Sequence, residues 1–380
     1  VKLSADQASA TTEIRHWLNS RRSELAVGGL AGTGKTTIVG ALAKPGKPLA
    51  SAVFLAPTGK AARALQLKGV KAATIHSYTY QFNGWRFCDH KGVHDPKFKP
   101  KDHGIDREGD VLVIDEASMV SGDVARELRR LGKRILWVGD HGQLPPVGED
   151  PKIMTNPRIR LETIHRQLAG SPILKLAYAV RGGKDPAAFR TVTDTLEVSK
   201  FSGTKAHALV KALIEDSFQQ VIVPVHTIRV AINNAYRDVL GFDGLVEEGD
   251  RLVCLRNNRD EGLLNGMLFR VTKVRSKRSK HHIVVNLESL DDGKPRTGVY
   301  VWRTSLGQRY AELKDLPEGV NAFDYGYALT CHKAQGSEWE SVAVIEGSHL
   351  PRAWDSKRWR YTAYTRAKSR LCVLLGRIQP

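Results

Sequence analysis

Lys35 and Thr36 stand within the stretch "AVGGLAGTGKTTIVGAL", in which Gly29 to Thr36 fit the spacing G-x-x-x-x-G-K-[ST]. A loop of this kind wraps backbone N–H groups around a phosphate, and the helix after it turns its positive end toward the same anion. Gly32, Thr33, Gly34, Lys35, Thr36 and Thr37 are then candidate nucleotide ligands, with Lys35 reaching the outer phosphates and the Thr36 hydroxyl holding Mg²⁺. About eighty residues later, "VLVIDEASMV" ends an apolar run on Asp115 and Glu116. In a P-loop nucleotidase the first acid binds Mg²⁺ through water, and the second polarises the attacking water. A glycine turn before an ordinary helix would satisfy the first motif alone. The two motifs together point to hydrolysis of ATP, with Thr36 and Asp115 at the metal.

These residues need a scaffold that ends strands in loops. Residues 26 to 150 alternate short apolar runs with glycine-punctuated helical stretches: "ELAVGG", "SAVFLAP", "DVLVIDEA" and "RILWVGD". Such runs predict buried parallel strands of an α/β sheet. A second set, "QQVIVPVHT", "DYGYALT", "SVAVIEG" and "LCVLLG", predicts a second α/β domain in series. Two segments break the rhythm. Tyr78 to Glu108 carries turn signals at Asn83-Gly84 and Asp95-Pro96 and reads as an inserted β-hairpin or loop. From about Gly249 to Glu318, "DRLVCLRN", "LFRVTKV", "HHIVVNLESL" and "TGVYVW" follow at short intervals and read as strands of a small inserted barrel.

One strand beyond the acidic pair, "WVGDHGQLPPVGE" contains G-D-x-x-Q-L-P-P-V-G, which resembles the third motif of superfamily 1 helicases. Further stretches similar to that family's motifs come in order: "LSADQASA", "FLAPTGKAAR", "TIHSYTY", "LETIHRQ", "ALTCHKAQGSEWESVAVI" and "YTAYTRAKSRLCVL". They span nearly the whole chain. "HRQLAGSPILKLA" and "LTCHKAQGSEW" resemble the 5′-to-3′ branch, which includes RecD-like and Dda-like DNA helicases.

The resemblance implies an α/β fold of two RecA-like P-loop domains, with an inserted β-hairpin in the first and an inserted SH3-like β-barrel in the second. The first domain would take 1–77 and 109–156, the pin-like hairpin 78–108, the second domain 157–248 and 319–380, and the barrel 249–318. It implies an adenine-reading role for Gln7 and a γ-phosphate sensor in Gln143. Arg166 and Arg366 stand where the family keeps two arginine fingers, whose planar forks suit developing phosphoryl charge. Gly336 and Glu338 join the nucleotide ligands. Thr58, Lys60, His76 and Ser77 in the first domain, and Thr330, His332 and Lys333 in the second, match strand-binding positions, where hydroxyls and cations hold phosphate and sugar without reading sequence.

The hairpin segment concentrates aromatics, Tyr78, Tyr80, Phe82, Trp85, Phe87 and Phe98, among Arg86, Lys91, Lys97 and Lys99. Trp85 and Phe87 are its candidate base-stacking residues, while a small core holding the hairpin to its domain is the other reading of these rings. Cys88, His90, His94 and His103 match no dependable metal spacing. The basic run "KVRSKRSKHH" reads as a solvated hairpin tip.

Bulk properties agree. The chain has 380 residues, enough for two or three domains, and a formal net charge of +18, which favours a polyanionic partner. No run approaches the roughly 20 apolar residues of a membrane span, and the first residues lack the apolar core of a secretion signal. Four scattered cysteines suggest a reducing compartment. The expectation is a cytoplasmic, bacterial or phage-encoded, monomeric ATP- and Mg²⁺-dependent 5′-to-3′ translocase and helicase on single-stranded DNA and fork duplex, working with repair or replication proteins. An RNA-directed or remodelling translocase, or an ATPase subunit of a larger repair or recombination complex, stays open from the residues alone. A P-loop small-molecule kinase would leave the second α/β domain without a purpose.

Overall fold

The apolar runs of the N-terminal part fold as strands. The computed structural model describes residues 3–88, 93–101, 109–164, 170–189, 193–201, 204–258, 260–276, 279–309, 313, 316–347, 350 and 355–379. In chain order come β1 (Glu24–Gly29), β2 (Val53–Ala56), β3 (Ala72–Thr74), the strands β4 (Tyr80–Cys88) and β5 (Val93–Pro100), then β6 (Val111–Ile114), β7 (Arg134–Gly139) and β8 (Ile159–Leu161). β4 and β5 pair only with each other, among the described residues. The other six make one sheet in the order β3-β2-β6-β7-β1-β8, with every pairing parallel. A parallel sheet is covered on both faces, so its strands read as continuous apolar runs.

The alternation of side chains sorts those runs into two cores. Val27, Val113, Leu136 and Val138 pack with Ile14 and Trp17 of α1 (Ala5–Leu18), Ile38 and Leu42 of α2 (Lys35–Leu42) and Leu65 of α3 (Gly59–Leu67). Leu55, Leu112, Ile114, Ile135 and Trp137 face the other way. They meet Ile75 of α4 (Ile75–Thr79) and Ala125 and Leu128 of α5 (Gly122–Arg130). α1 buries Gln7, Ala10, Ile14 and Trp17, one stripe at helical spacing. α6 (Pro172–Arg181) starts with Pro at its first turn, where the missing N–H costs nothing, and Ser171 caps it by accepting from Leu174 N.

The chain divides by contacts into two units. The first comprises Val1–Gln81, Phe98–Gly183 and Lys357–Thr365; the second comprises Phe82–Lys97, Lys184–Ser356 and Arg366–Pro380. The second contains β9 (Leu196–Lys200), β10 (Thr204–Lys205), α7 (Ala206–Glu215), β11 (Gln220–Val223), α8 (His226–Val239), β12 (Arg251–Cys254), β13 (Leu268–Ser276), β14 (His282–Ser289) and β15 (Pro295–Trp302). It continues with β16 (Phe323–Tyr325), β17 (Ala328–Thr330), α9 (Cys331–Ala334), β18 (Trp339–Ile345), β19 (Ala367–Leu375) and β20 (Ile378–Gln379). α10 (Ser356–Tyr364) belongs almost wholly to the first unit.

β17-β11-β18-β19-β9 form a second parallel sheet. β15-β14-β13-β12-β16 form an antiparallel one. "DYGYALT", read as one strand, is split by Gly326, so that β16 joins the antiparallel sheet and β17 the parallel one. A Cβ at Gly326 would lie 2.7 Å from Leu268 Cδ2 and 3.1 Å from the Leu252 carbonyl carbon, so only glycine lets the chain cross there. The two sheets share a core and a buried ion pair. Asp250 takes hydrogen bonds from Arg237 Nε at 3.0 Å, Tyr327 Oη at 3.0 Å and Glu247 N at 3.0 Å. Such a pair is tolerated only when its remaining hydrogen-bonding capacity is used, as it is here. Among the described residues no helix is long and apolar enough to cross a membrane.

Candidate nucleotide site

The phosphate loop joins β1 to α2, and its glycines are there for room and for backbone shape. A Cβ at Gly28 would meet Pro157 Cγ at 2.4 Å and His141 Nδ1 at 2.9 Å; one at Gly29 would meet Thr33 Oγ1 at 2.6 Å. Gly32 and Gly34 have φ of 80° and 76°, left-handed values that favour glycine. Thr33 is fully buried and its hydroxyl donates to Leu30 O at 2.8 Å, which curls the loop on itself. Thr36 is partly exposed and Thr37 exposed at the start of α2. Lys35 Nζ donates to Gly29 O at 2.7 Å and Leu30 O at 3.1 Å, and lies 3.8 Å from Asp140 Oδ2.

Asp115 and Glu116 follow β6. Asp115 Oδ1 accepts from Glu116 N at 3.0 Å, and burial pushes its carboxyl above the usual carboxylate range against the opposing pull of that hydrogen bond and of Lys35. Glu116 has φ 52°, a left-handed conformation that costs a non-glycine residue about 1–2 kcal/mol and is typical of functional turns.

Asp140, at the end of β7, gathers the rest. Its carboxylate accepts from Gly142 N at 2.8 Å, Gln143 Nε2 at 3.3 Å and the Tyr361 hydroxyl at 2.9 Å, with Lys35 beside it. Tyr361 also accepts Ala31 N–H of the phosphate loop at 2.6 Å, and Tyr178 donates to Ala31 O at 2.8 Å. Burial raises the pKa of both phenols, so both stay neutral donors. Leu144 N donates to Thr362 Oγ1 at 2.9 Å. Asp140, Tyr178, Tyr361 and Thr362 were not singled out from the sequence. Asp140 stood inside the G-D-x-x-Q motif and Tyr361 inside "YTAYTRAK", but their roles come from contacts across the chain.

Gln7 is fully buried below the loop. Its Nε2 donates to Thr33 O at 3.1 Å and its Oε1 accepts Ser4 N–H at 3.1 Å. Arg166 lies outside the described residues. In the second unit Arg366 is buried; its Nη1 donates to Ser337 O at 3.1 Å, and its carbonyl accepts from Trp339 N at 2.9 Å. Gly336, with φ 73°, turns the chain nearby, and Glu338 is exposed.

The strand-binding candidates fall in two groups. In the first unit Thr58 caps α3 by accepting from Ala61 N at 3.2 Å, and the Ser77 hydroxyl donates to Thr74 O at 2.8 Å. His76 is exposed, its ring centroid 4.9 Å from that of Tyr80, and Lys60 lies in the first turn of α3. In the second unit Thr330, His332 and Lys333 line one cavity of about 400 Å³ together with His226 and Arg229. Burial lowers the pKa values of His226, His332 and Lys333. Lys333 donates to Asn265 Oδ1 across the cavity rim. Trp85 and Phe87 fall on β4, but their side chains lie outside the described residues, as do those of Cys88 and His94; His90 and His103 lie outside them entirely. Among the described residues no cluster of metal-ligating side chains occurs.

The family model described as an AAA domain matches residues 2–202, and that of the UvrD-like helicase C-terminal domain matches residues 325–374. The ATP-dependent RecD2 DNA helicase of Deinococcus radiodurans is 30% identical over 97% of this chain and 48% of its own length. The conjugal transfer protein TraA of Rhizobium radiobacter is 27% identical over 99% of this chain and 32% of its own. The RecBCD subunit RecD of Mycolicibacterium smegmatis is 27% identical over 90% and 66%. The chain thus spans about half the length of the first of these relatives and about a third of the second. In fold it is similar to Pif1 helicase from Bacteroides in complex with ADP-AlF3 and ssDNA, with a TM-score of 0.57, 19% identity and coverage of 98% of this chain and 92% of that one. The mixed α/β architecture with parallel sheets is that of a helicase core.

Proposed function

The chain belongs to the AAA-domain family, and we propose that it falls in the 5′-to-3′ RecD/Pif1-like branch of superfamily 1 and is an ATP-dependent 5′-to-3′ translocase and DNA helicase, as its similarity to RecD2 and RecD supports. The observation that carries the reading is Lys35, 3.8 Å from the Asp140 carboxylate and acting on the charge of Asp115, in a loop where Gly28 and Gly29 leave no space for side chains. That loop presents N–H groups and an ammonium to a polyphosphate, as ATP requires. The Thr36 hydroxyl and Asp115 carboxylate are hard oxygen donors suited to Mg²⁺, which when bound neutralises phosphate charge. Glu116 orients the attacking water, Gln143 answers the γ-phosphate from its place on Asp140, and Arg166 and Arg366 supply cationic forks to the transition state.

In this reading β12 to β15 of the antiparallel sheet are strands of the SH3-like barrel at 249–318, and β16 extends that sheet from the flanking domain. Residues 78–108 form a pin that meets the duplex fork. The RecA-like domains take 1–77 with 109–156, and 157–248 with 319–380. Thr330, His332 and Lys333 grip single-stranded DNA together with Thr58, Lys60, His76 and Ser77. The protein acts as a cytoplasmic monomer alongside repair and replication proteins.

The test is unwinding of 5′-tailed DNA, 3′-tailed DNA and 5′-tailed RNA by the parent and by Lys35→Ala. The 5′-tailed DNA alone should open, with ATP. Lys35→Ala should lose hydrolysis and unwinding while still binding single strands, because strand contacts lie elsewhere. Parental hydrolysis by Lys35→Ala, or preference for the 3′ tail, would overturn the reading.

A further inference from the structure

Tyr361 is fully buried, and a phenylalanine would fill its site as well; the hydroxyl is there for its two hydrogen bonds. One takes the N–H of Ala31 in the phosphate loop, the other goes to Asp140, the carboxylate that also holds Gln143 and faces Lys35. The same helix reaches the Gln143 loop a second time through Thr362, which accepts from Leu144 N at 2.9 Å. Gly142 accommodates the tyrosine ring, since a Cβ there would lie 2.9 Å from Tyr361 Cε1. α10 is therefore fastened to both loops that face the nucleotide phosphates.

Five residues beyond Tyr361 the chain passes into the second unit at Arg366, which is fixed there by Ser337 and Trp339 and immediately precedes β19. One short run of backbone is thus held at one end by the phosphate loop and at the other by the second parallel sheet. A rigid element with hydrogen-bonded ends transmits a change at one end to the other. We infer that Tyr361 is a positioning residue that couples occupancy of the phosphate loop to the placement of Arg366. The inference rests on the ATPase reading above and adds the element through which that ATPase drives the second unit. A loop drawn onto a polyphosphate changes the Ala31 amide and the Asp140–Lys35 pairing together. Both changes arrive at the one hydroxyl.

The experiment compares the parent with Tyr361→Phe in steady-state hydrolysis and in hydrogen exchange, with and without ADP and aluminium fluoride. In the parent, exchange should change over residues 29–42 and over α10. In Tyr361→Phe the change over 29–42 should persist while that over α10 is lost. DNA-stimulated kcat should fall by about tenfold or more, the scale of a lost hydrogen bond to a charged group, with KM for ATP within about threefold. Thr362→Val, which removes the second tie, should shift the same quantities in the same direction by a smaller factor, and it serves as the test if Tyr361→Phe does not fold. A hydroxyl needed only for packing would lower kcat and raise KM together with thermal stability reduced, and would leave the α10 response intact; that result, or kcat within twofold of the parent, overturns the coupling. A parent that neither binds nor hydrolyses ATP overturns the ATPase reading, and the coupling falls with it.

Discussion

Gln7 offers a perturbation whose size can be worked from its surroundings. Its side chain is fully buried, with one end of the amide on Thr33 O inside the phosphate loop and the other on Ser4 N at the start of α1. Gln7→Ala strands the Thr33 carbonyl in a site closed to water, which costs about 1–3 kcal/mol. It also removes a bond from the helix N-terminus, about 0.5–1 kcal/mol in a position where solvent partly replaces it. The sum is about 1.5–4 kcal/mol, or roughly 3–16 °C in Tm for a unit of this size class. Because Thr33 shapes the loop, KM should rise several-fold while kcat stays within about twofold, the signature of lost ground-state binding. The rise should be the same for ATP and GTP if Gln7 braces the loop. Differential scanning calorimetry and hydrolysis assays with both nucleotides measure each quantity. An unchanged Tm with a loss confined to ATP would refute this reasoning and assign Gln7 to reading adenine.

Arg366→Ala should depress kcat far more than it weakens ATP binding, since an arginine finger acts on transition-state charge; a pure rise in KM in steady-state kinetics would demote it to ground-state binding. Single-strand affinity should fall steeply with salt and vary little with sequence, as expected when a basic protein releases counterions from phosphates, and fluorescence titrations of several oligonucleotides at two salt concentrations would show it. Shortening the hairpin between Asn83 and Phe87 should reduce duplex unwinding while sparing DNA-stimulated hydrolysis and translocation. A joint decline of all three activities with lowered thermal stability would instead mark its aromatics as a small core.

What could be read from the sequence was local. "ELAVGG", "VLVI" and "RILWVG" announce strands because both of their faces are buried, so no polar residue interrupts them. β3 and β8 are three residues each, too short for any period to emerge. "DYGYALT" reads as one strand because periodicity has no means of showing that Gly326 passes against Leu252 and Leu268. The site divides likewise. Lys35, Asp115 and Gln143 sit in short motifs whose spacing carries their chemistry. Tyr361 touches Ala31 across 330 positions of sequence, and no pattern local to either residue announces the pairing.

The first unit is not continuous in the chain: its last piece, Lys357–Thr365, is separated from the preceding piece by Lys184–Ser356. During synthesis, at about 5–20 residues per second, the phosphate loop is complete roughly ten to thirty seconds before Tyr361 is even polymerised, counting only from the end of the preceding piece. Through that interval the Ala31 amide and Asp140 lack the hydroxyl that later joins them. A nascent chain halted before α10 carries every short motif of the loop and of the acidic pair without the finished site. The loop and its tyrosine tie are therefore made at separate times, and the first unit closes on itself only after the whole of Lys184–Ser356 has been synthesised.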